Sequence, residues 1–100
     1  MLTYRGICFV WDEDKNRANI AKHRVSFEDA ATIFLNWPIL VFFDPDHSHN
    51  EDRYVALGIS KKQRILLVVH TENKKGTLVR LISARKANRK EQNQFWGTIR

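Results

Sequence analysis

"RYVALGISKKQRILLVVHTENKKGTLVRLISARK", residues 53–86, decides the fold. Three apolar runs rich in Val, Ile and Leu are separated only by "KKQ" and "ENKKG". Such connections are too short to hold a crossover helix, so consecutive runs must pair as antiparallel hairpins. The expected strands are "RYVALGIS", "RILLVVHT" and "TLVRLISARK". Just upstream, "ILVFFD" reads as a further strand, closed by the loop "DPDHSHNED". Residues 39–85 are therefore mainly strands.

The flanks read differently. "GICFVW" is a short strand beginning at Ile7. "DEDKNRANIAKHR" follows as a helix, with Asp12 as N-cap and Glu13 and Asp14 at the positive end of the dipole. In "SFEDAATIFLN", Ser26 and Asp29 have capping-box spacing, and Phe27, Ala30, Ala31, Phe34 and Leu35 recur at helical intervals. Pro38 closes that segment, so residues 12–35 are expected to form two helices. "NRKEQNQFWGTIR" is a terminal helix with Asn88 as cap and Glu91 completing a capping box. The order strand, two helices, four strands, helix implies an α+β domain spanning residues 1–100, its antiparallel sheet packed by helices from both ends of the chain.

Composition narrows the function classes. Hydrophobic residues make up 43% of the chain, too many for a disordered segment. The single cysteine, Cys8, excludes an intramolecular disulfide framework and fits a reducing, cytoplasmic setting. No apolar run reaches membrane-spanning length, and the N-terminus lacks the order of a secretory signal. The net charge of +6 is unevenly placed. Residues 1–60 hold 6 basic and 9 acidic side chains, whereas residues 61–100 hold 11 basic and 2 acidic ones. A basic half of this kind is the footprint of a polyanion binder, against the plainer reading of surplus surface lysine. Arg80 adds to it: a cation inside an apolar strand needs a carboxylate partner or an open groove.

Four blocks in order, "FVWDEDKNRANIAKHRVSFEDAATIF", "DPDHSHNEDRYVALGIS", "ILLVVHTE" and "RLISARKANRKE", resemble the BrnT family of bacterial toxins. The resemblance runs roughly from Phe9 to Glu91. It implies a ribonuclease toxin of RelE-like fold, neutralised by a BrnA-like antitoxin in a dimer of toxin–antitoxin heterodimers; no cofactor is expected. One departure is Arg24, where the family usually has glycine after Lys-His. If that position is left-handed, arginine costs about 1 kcal/mol relative to glycine.

Metal-free RNA cleavage needs a base for the 2′-hydroxyl, cations for the developing phosphorane charge, and an acid for the leaving oxygen. Arg53, Arg80, Arg85 and Lys86 are the candidate cations. Regular alternation puts Arg80 and Lys86 on one strand face and Arg85 on the other, unless a bulge brings them to one rim. His70, at the end of the most apolar strand, is the acid/base candidate, and its plainer role is to cap a strand end. Glu51 is the alternative base, sharing a face with Arg53 as partner or neighbour. Lys86, Arg89 and Lys90 are expected to hold the RNA backbone. Lys22 ends the first helix, where a cation complements the dipole, and borders the groove only in the functional reading. Trp11 reads as core, while Trp37 and Trp96 are open to base stacking. "DPDHSH" matches no zinc spacing and is foremost a turn, so no metal is assigned. A non-catalytic nucleic-acid-binding module, a metal hydrolase on that loop and a plain interaction domain are the alternatives. The antitoxin is expected on the basic face or the terminal helix, with Phe95 and Trp96 as apolar anchors.

Overall fold

The computed structural model describes residues 1–99, so Arg100, the last residue of the expected terminal helix, lies outside the described residues. Helix α1 (Glu13–His23) starts where the Asp12 carboxylate accepts from the Lys15 amide. It ends at Arg24, left-handed with φ of 61°, whose N–H closes on the Ile20 carbonyl. The strain anticipated for a residue other than glycine at this position is therefore present. Helix α2 (Phe27–Ala31) is capped by the Ser26 hydroxyl at the Asp29 amide. The Asp29 carboxylate does not complete the capping box. It turns instead to Arg64 at 2.8 Å. The expected long helix tightens into a 3-10 turn over Thr32–Leu35, which seats Ile33 against the sheet. At Gly58 an added Cβ would lie 2.9 Å from the Ile33 Cβ, so the close approach depends on glycine.

The sheet has six strands in the order β1-β2-β6-β5-β4-β3. These are β1 (Leu2–Tyr4), β2 (Ile7–Val10), β3 (Ile39–Asp44), β4 (Arg53–Ile59), β5 (Ile65–Glu72) and β6 (Leu78–Lys86). The three expected hairpins are antiparallel and in register, from Ile39↔Gly58 through Ile59↔Ile65 to Leu66↔Lys86. Two features depart from the expectation. Strand β1 was not anticipated; it folds back on β2 through Arg5 and Gly6, both with positive φ. Strand β2 pairs with β6 in parallel, the chain returning beside it after α1, α2 and three strands. No helix among the described residues is long and apolar enough to cross a membrane.

Helices cover the two faces of the sheet unequally. On one face, α1 and α2 bury Phe9, Phe27, Ile33, Leu66, Val68 and Leu81. Burial at this scale contributes about 1.5–3 kcal/mol for each large apolar side chain. On the other, α3 (Arg89–Ile99) sets Phe95 over Leu57 and Ala87, with Leu40, Leu67 and Ile99 packed around them. Asn88 and Glu91 form the expected capping box: the Asn88 Oδ1 accepts from the Glu91 amide at 2.8 Å, and the Glu91 carboxylate from the Asn88 amide at 2.9 Å.

Candidate functional site

Helix α3 packs over only one end of its face. Beyond the Leu57–Leu67 pair the sheet is open, and two rows of side chains floor the opening. The inner row is Phe42, Val55, Val69 and Ser83, which are register partners across four strands. The outer row joins Asp44 to Arg53 and Thr71 to Arg80, with Val10 beyond. Since Tyr54 pairs with His70, the next step sets Arg53 beside Thr71. Arg53 and Arg80 thus stand two strands apart on one face, about 10 Å between their backbones.

A β-bulge explains how Arg80 and Arg85 come to share this face. His70 pairs with Leu81 and Val69 with Ser83, leaving Ile82 as an extra residue in β6. Leu81 and Ala84 consequently both face the core, 2% and 1% exposed. The parity of β6 changes across the extra residue, and a spacing of five behaves as a spacing of four. Lys86 moves with Ala84 to the other parity and lies with Arg89 and Lys90 where β6 passes into α3. Those three exposed cations sit at the far end of the strand from Arg80. Lys22 is exposed on α1, across the sheet. The structure does not bring it to the opening.

Each arginine has a different environment. Arg80, interrupting the apolar strand, has both of the features its position called for: it faces the opening and is ion-paired with Glu51. Glu51 pairs there and not with Arg53. Arg85 is bound in bidentate fashion by Glu91 at 2.8 and 2.9 Å, and this hydrogen-bonded pairing holds the Glu91 carboxyl below the usual carboxylate range. Its guanidinium is thereby committed to seating α3. Arg53 is half-buried, and its Nε is buried without an acceptor among the described residues. An orphaned donor of this kind costs about 1–3 kcal/mol.

His70 is set apart from this cluster. It is wholly buried on the helix-covered face, edge-on to Phe34 at 4.9 Å and stacked with Tyr54 at 5.9 Å between centroids. Its Nε2 meets Glu72 at 3.1 Å. The alternation of β5 places it with Leu66 and Val68, on the other side of the sheet from Arg53 and Arg80. Burial lowers its pKa from 6.5, against the opposing pull of the Glu72 hydrogen bond. The unfolded chain therefore binds the proton more readily, and the stability contributed by neutral His70 is complete above pH 6.5 and lost as pH falls through the lower folded pKa. Urea midpoints should drop between about pH 7.5 and pH 5, and His70→Gln should flatten that decline. An unchanged slope in the variant would contradict this.

A histidine that sequence reading set aside lies nearer. The loop after β3 makes a short 3-10 turn over Pro45–His47, and His47 Nδ1 meets Asp44 Oδ2 at 2.9 Å. His47, His49, Asn50, Glu51 and Arg53 line one small cleft of about 230 Å³. The signal was the three-residue interval between Asp44 and His47 just before Arg53, hidden because Asp-Pro-Asp reads first as a turn.

An open sheet face that carries Arg53 and Arg80, with Glu51 and His47 at its rim, marks a small α+β protein whose ionisable side chains gather on one surface. Comparison with known proteins gives the family. The family profile described as "Ribonuclease toxin, BrnT, of type II toxin-antitoxin system" matches residues 11–91, and the chain belongs to that family. The crystal structure of the Brucella abortus ribonuclease toxin, BrnT, is similar, with 27% sequence identity and a TM-score of 0.61. The match covers 83% of this chain and 99% of that one. No curated protein matches by sequence. Family membership makes the chain a ribonuclease toxin with RNA as substrate and an antitoxin as partner.

Proposed function

We propose that the chain is a metal-independent endoribonuclease that cuts RNA on the open sheet face and so inhibits translation. The orphaned Nε of Arg53 beside the Arg80–Glu51 pair carries this reading, because a phosphate oxygen satisfies the one and competes for the other. Arg53 and Arg80 hold the non-bridging oxygens of the scissile phosphate. Glu51, displaced from Arg80, takes the proton from the 2′-hydroxyl. The 2′-oxygen then attacks phosphorus and the bond to the 5′-oxygen breaks. His47, oriented through Nδ1 by Asp44, supplies the proton from Nε2 to that oxygen. The products are a 2′,3′-cyclic phosphate and a free 5′-hydroxyl. Arg85 acts by fixing α3, and Lys86, Arg89 and Lys90 attract the RNA backbone from the end of the sheet.

The toxin domain, residues 1–100, works in the cytoplasm and is silenced there by a BrnA-like antitoxin, in a dimer of heterodimers. That antitoxin covers the basic face or α3, where Trp96 is 42% exposed, whereas Phe95 is fully buried and serves the core. Purified protein incubated with single-stranded RNA, with and without EDTA, tests the activity. Cyclic-phosphate ends that persist in EDTA are expected. Binding without cleavage would leave a non-catalytic nucleic-acid-binding module, and loss of cleavage in EDTA would remove metal independence.

A further inference from the structure

Another cleft lies away from the arginine face. It lies where β4 ends, encloses about 540 Å³, and is lined in part by Tyr4, Arg5, Trp37, Lys61 and Gln63. Arg53 begins β4 and Ile59 ends it, so the two sites are separated by about 20 Å of strand. Three observations set this cleft apart. Trp37 is 89% exposed and Tyr4 39%, two aromatic faces left in water although each would gain by being covered. No carboxylate lines the cleft, and neither Arg5 nor Lys61 is ion-paired among the described residues. Finally, of the three non-glycine residues with positive φ among the described residues, two border it: Arg5 at 51° and Gln63 at 67°. Backbone held in that region concentrates at ligand-binding positions.

From these observations we infer that the cleft is a second RNA subsite, holding one unpaired nucleotide of the strand whose scissile phosphate lies on the arginine face. The base stacks on Trp37 and Tyr4, as bases do on aromatic platforms in single-strand binders. Its phosphate meets Arg5 and Lys61. Arg5 gives one N–H to the Leu35 carbonyl at 3.2 Å, which fixes the guanidinium and leaves its other donors free. The Lys61 amide is anchored by the Thr32 hydroxyl at 2.8 Å. Gln63, in the same tight turn, presents an amide able to reach a base edge. Engagement of this subsite requires an RNA long enough to span both sites. It strengthens substrate binding without touching the reacting atoms.

The inference rests on the ribonuclease reading for its ligand, so the test has one arm that needs no cleavage. A single-stranded DNA oligonucleotide of about 15 nucleotides lacks the attacking hydroxyl and is the binding probe. Trp37→Ala and Lys61→Ala should each weaken its binding about tenfold relative to the full wild-type chain. In the second arm, an RNA of the same length should show KM raised about tenfold in both variants with kcat unchanged, while dinucleotide cleavage stays at the wild-type rate. Wild-type affinity for the oligonucleotide in both variants would overturn the subsite. So would variants that lose only antitoxin binding, which would make the cleft a protein interface. Absence of cleavage by the wild-type protein with tenfold weaker oligonucleotide binding in the variants would sink the ribonuclease reading and leave the subsite standing.

Discussion

Arg53→Ala is expected to lower kcat/KM for RNA about a hundredfold, the scale of removing one preorganised donor from a developing phosphorane oxygen. The reason is its position. Of the three arginines on this side of the sheet, Arg80 is held by Glu51 and Arg85 by Glu91 beneath α3, while the buried Nε of Arg53 has no acceptor among the described residues. A guanidinium that already has its partner loses that partner before it gains a phosphate; Arg53 loses nothing. Arg53→Lys should recover only part of the activity, because an ammonium has no fork to meet two phosphate oxygens. Arg80→Ala should cost about tenfold, partly offset because it frees Glu51. Arg85→Ala should act mainly on stability, by releasing α3. Single-turnover rates and urea midpoints on the three variants separate these effects. Cleavage by Arg53→Ala at the wild-type rate would move the site off this face.

The second large effect concerns a side chain with no part in the chemistry. Asn19 is 7% exposed on α1, and its amide reaches two other segments of the chain. Its Nδ2 donates to the Val25 and Ala84 carbonyls, each at 2.8 Å, and its Oδ1 accepts from the Ala84 amide at 3.0 Å. Asn19→Ala strands three backbone groups away from water, at about 1–3 kcal/mol each before any relaxation. A net loss of about 3 kcal/mol is expected, lowering the thermal midpoint by about 15 °C in a chain of this size. Thermal melts followed by circular dichroism would show it. A midpoint within about 3 °C of wild type would mean that water replaces the amide.

The parts of the fold that were legible in the sequence are those fixed by local chemistry. Asp12, Ser26 and Asn88 cap helices as their spacing indicates, and the short connections impose the three antiparallel hairpins. Strand β1 escaped because three residues are too few for a pattern and because Arg5, not Asn or Gly, holds the first left-handed turn position. The parallel β2–β6 pair escaped because nothing in either segment specifies a partner some seventy residues away. Arg80 was legible as a charge out of keeping with its apolar neighbours, and Glu51 and Arg53 as charged residues on one strand face. The burial of His70 was not, since a strand-end histidine looks alike on either face until the sheet is assembled. His47 was masked by the turn that positions it.

Ile82 bears on how relatives of this chain should be compared. The five-residue interval between Arg80 and Arg85 is a property of the bulge. Removing the extra residue would leave a regular strand in which the same two arginines, now four apart, still point to the same side. A search for a fixed interval would discard such a relative, and an aligner reluctant to open gaps inside strands would misplace its second arginine. The quantity inherited is the facing of the side chains. Alignments should therefore be free to gap within β6, and the position to gap is Ile82.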